Sequence, residues 1–396
     1  MIIKPANRMN HIREYYFSEK TREIERLNQS GLPVINLGIG SPDLAPDPWV
    51  IEQLRDEILT PDCHSYQNYK GIPELREAFA SWYRDYYHVT LNPETEIQLL
   101  TGSKEGVLLV SLALLNPGDK VLVPDPGYPT YSSATRLAEA HTLYYNLREE
   151  TGWMPNFEDL EKMDLSGVKM MWTNYPNMPT GAAASVDIYQ KLVDFGNRHD
   201  ILICNDNPYS FILTGEPLSI LNIKGAKNCC IELNSMSKTF NMAGWRIGMI
   251  AGNKEIISNV LKVKSNMDSG MFRPLQLAAT QALTLGKEWI DHLNREYRER
   301  QKLAEKVFRS LGVTFKENSC GLFLWGKVGR QWQSGKELSD HLLHRARVFV
   351  TPGFIFGSNG NSYVRISLCA NQDTFKEVIE RIERHLDIHP LSYKTN

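Results

Sequence analysis

A lysine in the second half of the chain stands among residues that suit chemistry on an aldehyde. Lys238 follows an apolar run, the hydroxyls of Ser235 and Ser237 precede it, and Arg246 comes shortly after it. A placed, partly desolvated amine is a nucleophile toward a carbonyl carbon, and small hydroxyls with an arginine suit a phosphate. A polar loop with an exposed lysine and an exposed arginine is the alternative. The joint occurrence of these residues after one strand favours a phosphate-binding site with a nucleophilic lysine.

Two other apolar runs are followed by polar residues that suit the same ligand. Asp206 and Tyr209 follow one run, where a carboxylate could pair with a cationic ring nitrogen and a phenol could reach the same ring. Ser103 and Lys104 follow another run and open a helix, whose first amides form a phosphate cradle. The alternatives are an aspartate that caps the next turn and a Gly-Ser turn that only caps a helix.

These residues require strands that end side by side, and the hydrophobic pattern predicts such strands. The apolar runs are Ile97–Leu100, Val121–Val123, Thr142–Leu147, Val168–Thr173, Ile201–Cys204, Asn228–Leu233 and Ile247–Ala251. Helical patterns between them include Lys104–Leu115, Thr130–Ala140, Val186–His199 and Lys254–Asn266. This alternation predicts an α/β fold with a mainly parallel, seven-stranded sheet between helices. Ligands of such sheets bind at the carboxyl ends of the strands.

After about residue 288 the pattern changes to that of a smaller α+β unit. Its predicted elements are a long helix at Ile290–Leu311, strands at Val313–Lys316, Gly321–Lys327 and Tyr363–Leu368, and a last helix at Gln372–Leu386. A charged helical pattern at Arg13–Gln29 is predicted to join this unit or to cross the surface. We therefore expect a large cofactor-binding domain at 45–287 and a small domain built from 1–44 and 288–396.

Composition and charge exclude several classes of partner. The 396 residues carry a formal net charge of −2, so no basic field points to nucleic acid or to an anionic membrane. The sequence has no apolar stretch of about 18 residues that could span a membrane, and its start lacks a signal peptide pattern. The six cysteines form no CxxC pair and are typical of reduced thiols. We expect a cytoplasmic protein that binds small molecules.

Two short motifs suggest other ligands but lack the required context. Gly38 and Gly40 resemble part of a dinucleotide-binding loop, but the third glycine is absent and Pro42 interrupts the pattern. His341 and His344 lie one helical turn apart without a nearby acidic partner, which favours a helix face over a metal pair. We expect neither a nicotinamide cofactor nor a metal.

The stretch from Ser235 to Gly248 resembles the lysine signature of the class I/II pyridoxal-phosphate-dependent aminotransferases of fold type I. The other motifs follow in that family's order, and the resemblance covers almost the whole chain. It implies pyridoxal 5'-phosphate as the cofactor, with Lys238 as Schiff-base lysine and proton shuttle. Asp206 resembles the acid that keeps the ring nitrogen protonated, and Tyr209 resembles the phenol that bonds the cofactor 3-oxygen.

The resemblance also implies how phosphate, ring and substrate are held. The residues implied to bind the cofactor phosphate are Ser103, Lys104, Ser235, Ser237 and Arg246. Tyr128 resembles the aromatic residue stacked on the ring, while Arg365 and the backbone of Gly40 resemble the contacts to the substrate α-carboxylate. Tyr66 resembles the tyrosine that reaches the partner's phosphate across a homodimer, with Tyr69 as its rival.

One position departs from the family pattern. The family usually has Asn-Pro-Thr-Gly in the proline loop, where the asparagine bonds the cofactor 3-oxygen, and Met178 occupies that position here. A thioether is at best a weak acceptor and cannot donate a hydrogen bond. Either Tyr209 holds the oxygen alone, or Asn177 or Asn174 replaces the missing amide, and we count Asn177 among the expected cofactor contacts. Loss of a donor is expected to raise the pKa of the Schiff base.

A transaminase is the leading functional interpretation. An amino acid would leave its amino group on the cofactor and depart as a 2-oxo acid, and a second 2-oxo acid would collect the group in a ping-pong cycle. Similarity to bacterial aspartate and diaminopimelate aminotransferases favours aspartate or a broad range of donors. A carbon–sulfur β-lyase on the same fold is the main alternative. A non-catalytic ligand-binding protein, such as the ligand domain of a transcription factor, is disfavoured. Such proteins usually carry an N-terminal DNA-binding module, and few residues precede the core here.

Overall fold

The computed structural model describes residues 3–12, 14, 16–29 and 31–385 of the chain. Residues 1–2, 13, 15, 30 and 386–396, which the sequence assigned to the small domain, lie outside the described residues. The first residue of the predicted helix Arg13–Gln29 and the last residue of the predicted helix Gln372–Leu386 fall among them.

A seven-stranded sheet forms the centre of the described chain. Its strands, in chain order, are Ile97–Leu100, Lys120–Asp125, His141–Asn146, Val168–Asn174, Leu202–Asp206, Cys230–Ser235 and Gly248–Gly252. In space the first strand is followed by the seventh, sixth, fifth, fourth, second and third. The seventh strand runs antiparallel to both of its neighbours, and all other pairs are parallel.

Helices cover this sheet because its strands are apolar on both faces. In the strand Val168–Asn174, for example, every residue except Lys169 is buried, as expected of a parallel sheet between helices. The helices of this part are Pro48–Glu57, Pro73–Tyr87, Ser103–Leu114, Pro129–Leu137, Phe157–Glu161, Val186–His199, Ala226–Cys229, Met236–Thr239, Lys254–Lys264 and Arg273–Leu283. Local signals fix their ends: the Ser185 hydroxyl accepts from the Ile188 amide at 3.2 Å where Val186–His199 begins.

A smaller sheet is built from the last third of the chain. Its neighbours in space are Thr351–Pro352, Tyr363–Ser367, Phe323–Lys327 and Thr314–Phe315, all antiparallel. Its helices are Lys287–Ser310, Gly335–Arg345 and Gln372–His385. Near the start of the chain the helix Tyr16–Asn28 precedes a two-residue strand, Ile35–Asn36, which pairs in parallel with Val348–Phe349. A segment near the start of the described chain therefore packs with its last third.

The predicted α/β class with its mainly parallel seven-stranded sheet is confirmed. Most predicted strands and helices lie within one to three residues of the observed elements. The division of the chain at residues 45 and 287 stays a prediction. In the part of the chain that the structure describes, every helix is too short or too polar to cross a membrane.

Strand register determines which polar residues meet at the carboxyl edge of the large sheet. Asp206 lies beside Asn174 on one side and beside Leu233 on the other. Ser235, two residues further along its own strand, pairs with Gly248, which also pairs with Leu100. The polar segments that follow three separate strands are thereby brought to one edge.

Candidate active site

A cavity of about 430 Å³ opens at this edge of the large sheet, next to the smaller one. Most residues that the sequence marked as site candidates line it. They are Gly40, Ser103, Lys104, Tyr128, Asp206, Tyr209, Ser235, Ser237, Lys238, Arg246 and Arg365. The cavity therefore brings together residues of the large sheet with Gly40, which precedes that sheet, and Arg365, which lies in the smaller sheet.

Lys238 lies on the one-turn helix Met236–Thr239, directly after the strand that ends at Ser235. Its Nζ donates a hydrogen bond to the carbonyl oxygen of Gly40 at 2.7 Å. Burial lowers the pKa of Lys238, and the positive charges of Arg365 and Arg246 act in the same direction. A lysine in these surroundings is more readily neutral, and so more nucleophilic, than a lysine in water.

Asp206 ends its strand at the base of the cavity and is buried. Its Oδ2 accepts a hydrogen bond from the Tyr131 hydroxyl at 2.9 Å, while Oδ1 has no hydrogen-bond partner among the described residues. Burial raises the pKa of Asp206 to about 6, although the Tyr131 hydrogen bond opposes the shift. Burial also raises the pKa of the Tyr209 phenol, which keeps it protonated and able to donate.

Tyr131 is a site residue that the sequence analysis missed. It lies in the first turn of the helix Pro129–Leu137, three positions after Tyr128, and its ring stacks on Trp172 at 4.9 Å between centroids. Residues three apart on a helix share a face, so the proximity to Tyr128 was the available signal.

Serine hydroxyls and an arginine form the polar end of the cavity. Ser235 Oγ donates to Ser237 Oγ at 2.9 Å, and Arg246 Nη1 donates to the same Ser237 oxygen at 3.5 Å. Arg246 crosses to the loop before the helix Ser103–Leu114, where a Cβ added to Gly102 would lie 2.0 Å from its Nη2. The absence of a side chain at Gly102 lets the guanidinium lie against that loop. Hydroxyls, guanidinium and helix N-terminus thus converge as a phosphate requires.

Arg365 lies at the opposite end, on the strand Tyr363–Ser367. Its Nη2 donates to the Gly38 carbonyl at 2.6 Å, and its Nη1 donates to the Met178 thioether at 3.3 Å. The guanidinium carbon stands 3.9 Å from the centroid of the Phe323 ring and 4.7 Å from that of Phe356. Two aromatic faces and a thioether therefore fix its orientation.

Asn177, which we counted among the expected cofactor contacts, is not among the residues that line the cavity. Its Oδ1 accepts from the amide and the hydroxyl of Thr180, and its Nδ2 donates to the Asn174 carbonyl at 3.2 Å. Asn174 does line the cavity, but its amide binds the Asp206 carbonyl and the Met178 amide at 2.6 and 2.7 Å. The hydrogen bonds of the proline loop thus occupy both candidate replacements for the missing asparagine.

The two tyrosines considered for the subunit contact lie on the surface of the single chain. Tyr66 is 90% exposed and Tyr69 is 42% exposed, and neither lines the cavity. Several apolar lining residues were also absent from the predicted site: Phe17, Ile39, Phe323 and Phe356. Their common signal, an apolar residue in a loop or at an element end, is too general to identify them from one sequence.

Comparison with known proteins places this arrangement in a family. Residues 33–382 match the model of the family "Aminotransferase class I and II". Transaminase BacF of Bacillus subtilis is 39% identical over 97% of this chain and 97% of its own length. LL-diaminopimelate aminotransferase of Natranaerobius thermophilus is 38% identical over 96% and 99%. The solved structure of apo-BacF matches with a TM-score of 0.93 at 38% identity and covers 98% of this chain and 100% of that one.

These relatives are named for amine transfer, and none of those named above is a lyase. The β-lyase alternative is therefore not retained. The chain belongs to the class I and II aminotransferases and is an aminotransferase that moves an amino group from an amino acid to a 2-oxo acid.

Proposed function

We propose that this aminotransferase works with pyridoxal 5'-phosphate bound in the cavity between Asp206, Lys238 and Arg246. The observation that carries the proposal is the buried Oδ1 of Asp206, which has no hydrogen-bond partner among the described residues. A buried carboxylate oxygen left without a donor is costly, and a protonated ring nitrogen would supply both a donor and a charge. When bound, this cofactor supplies an electron sink for the substrate's α-carbon.

In this proposal Lys238 is the base that moves the proton. Burial and nearby positive charge lower the pKa of its amine, which favours the neutral form that can take the proton from the substrate α-carbon once a substrate amine has replaced it. The Gly40 carbonyl, 2.7 Å from Nζ, holds the amine in place in the cavity that Arg365 also lines. The same lysine returns the proton when the second substrate reacts.

The other residues of the cavity would bind and orient the cofactor and the substrate. Ser103, Lys104, Ser235, Ser237 and Arg246 would hold the phosphate. Tyr128 would stack on the ring, Tyr209 would donate to the ring oxygen, and Arg365 with Gly40 would bind the substrate carboxylate. The phenol of Tyr209 is kept protonated by burial, which supports its role as the donor where Met178 provides none.

We further propose a cytoplasmic homodimer in which Tyr66 completes the partner's phosphate site. Tyr66 is 90% exposed on the single chain, so its side chain is accessible to a partner subunit. We also propose that the cofactor-binding domain spans residues 45–287, as the sequence indicated. For donors we propose a broad range, with aspartate and the diaminopimelate named in the relatives among the candidates.

Borohydride trapping tests the central assignment. Reduction of the purified enzyme fixes the cofactor to the lysine that carries it, and peptide mass spectrometry then identifies that lysine. We expect the added mass on Lys238 in the wild type and in Lys254→Ala, a control because Lys254 is an exposed lysine that does not line the cavity. Lys238→Ala should carry no added mass and lose multiple turnover. Added mass on Lys104, or sustained turnover by Lys238→Ala, would refute the assignment.

A further inference from the structure

The two ends of the cavity differ in polarity. One end carries the hydroxyls and cations assigned above to the phosphate. The other end is lined by Phe17, Ile39, Met178, Phe323 and Phe356 around Arg365. Apart from the reactive Lys238, Arg365 is the only cation among the described lining residues at this second end, since Lys104 and Arg246 belong to the phosphate end. A substrate held there by Arg365 meets a lining that is mostly apolar.

The surroundings of Arg365 limit it to one carboxylate. Its two terminal nitrogens already donate to Gly38 and Met178, and the rings of Phe323 and Phe356 cover its faces. A guanidinium held in this way presents a fixed fork to a single planar anion. A second carboxylate on the substrate would find no second arginine at this end, and the phenylalanine rings offer it no hydrogen-bond donor.

Ile39 marks where the substrate side chain would lie. It stands between Gly38, whose carbonyl bonds Arg365, and Gly40, whose carbonyl bonds Lys238. Its side chain is 47% exposed although it lines the cavity. An apolar residue between the carboxylate contact and the reactive lysine leaves open surface that an apolar ligand group can cover. Phe17, from the helix Tyr16–Asn28, lines the same end, with the Arg365 guanidinium 6.0 Å from its ring.

We infer that the preferred amino donor has an apolar or aromatic side chain rather than a second charged group. The inference rests on the proposed function, because it places the donor's α-carboxylate on Arg365 and its α-amine at Lys238. It narrows the proposed broad range to donors such as phenylalanine, leucine and methionine. Aspartate, glutamate and LL-diaminopimelate are then the poorer donors.

Two measurements on the cofactor-loaded enzyme test this inference. Stopped-flow absorbance gives the rate at which each amino acid, without an acceptor, converts the cofactor to its amine form. Calorimetry gives the affinity for 3-phenylpropanoate and for succinate, which carry one and two carboxylates and no amine. We expect phenylalanine or leucine to convert the cofactor at least about tenfold faster than the charged donors, and 3-phenylpropanoate to bind at least about tenfold tighter than succinate.

A variant that places a charge in the apolar lining beside Arg365 provides a second test. Ile39→Lys should lower the phenylalanine-to-aspartate rate ratio by about tenfold or more, because it adds a cation beside the substrate side chain. Leu32→Lys is the control, since Leu32 is also 47% exposed and does not line the cavity. Equal or faster conversion by aspartate, glutamate or diaminopimelate in the wild type overturns the inference, as does an unchanged ratio in Ile39→Lys. Conversion by no amino acid overturns the proposed function itself.

Discussion

The hydrogen bond from Tyr131 to Asp206 leads to a prediction with a defined pH dependence. Both residues are buried, and their oxygens lie 2.9 Å apart. Tyr131→Phe removes the hydroxyl and keeps the ring that stacks on Trp172. The ionised carboxylate then loses its donor, whereas the protonated carboxyl loses only a bond between neutral groups.

The size of the effect follows from the two protonation states. A hydrogen bond to a charged group contributes about 1.5–3 kcal/mol, and one between neutral groups about 0.5–1.5 kcal/mol. These two contributions differ by about 1–1.5 kcal/mol. At about 1.4 kcal/mol per pKa unit, the substitution should raise the pKa of Asp206 by about 1 beyond its present value of about 6. Because this pKa is already above the ordinary 3.8, the aspartate favours folding at low pH, and the free energy of unfolding falls as pH rises through about 6.

Urea unfolding of the cofactor-free protein at pH 5 and pH 8 measures this difference. We expect Tyr131→Phe to reduce the free energy of unfolding by about 1 to 1.5 kcal/mol more at pH 8 than at pH 5. Tyr145→Phe is the control, because Tyr145 donates to the neutral carbonyl of Trp172 at 2.8 Å and is also buried. The free energy of unfolding lost by Tyr145→Phe should be the same at both pH values. Equal losses for Tyr131→Phe at the two pH values would refute the coupling between this phenol and the carboxylate.

Three further predictions concern separate parts of the molecule. Met178→Asn restores an amide donor, so the pKa read from the pH titration of the lysine-bound cofactor's absorbance should fall; an unchanged midpoint contradicts this. Gly102→Ala adds a methyl group 2.0 Å from Arg246 at a backbone φ of 81°, and equilibrium dialysis should show cofactor affinity weakened by about tenfold or more. Gly118→Ala, at φ 89° in open space, should leave that affinity unchanged. Arg300→Ala removes a 1%-exposed guanidinium that bonds the half-buried carboxylates of Asp43 and Glu296, and denaturant unfolding should show a loss of about 1.5–3 kcal/mol; a loss below about 0.5 kcal/mol would show that these bonds add no more than an exposed ion pair.

Most of the cavity could be predicted because its residues directly follow apolar strands. Asp206 ends such a run, and Ser235 and Lys238 come just after another, so the rule that ligands bind at strand ends identified them together. Arg365 was identified from its strand pattern and its place in the family's order of motifs. The sheet itself was predictable because parallel strands are apolar on both faces and leave a continuous signal.

The remaining lining residues depend on contacts that no local pattern encodes. Asn177 has the right chemistry and stands next to the expected position, but Thr180 and Asn174 satisfy its amide within the loop. Tyr131 was missed because a tyrosine in an amphipathic helix is usually a core residue. Phe17 reaches the cavity only because its helix packs beside the C-terminal part of the chain, which sequence spacing cannot show.

The pairing of Ile35–Asn36 with Val348–Phe349 has a consequence for the order of assembly during synthesis. The seven strands of the large sheet lie in one continuous stretch, so they can pair while the ribosome is still adding the last third of the chain. The hydrogen bond from Arg365 to the Gly38 carbonyl can form only after Arg365, 327 residues later in the chain, has been synthesised. In a nascent chain the phosphate-binding end of the cavity can therefore form before the end that binds the substrate carboxylate. Ribosome-bound intermediates should accordingly gain affinity for phosphorylated ligands before they can recognise an amino acid.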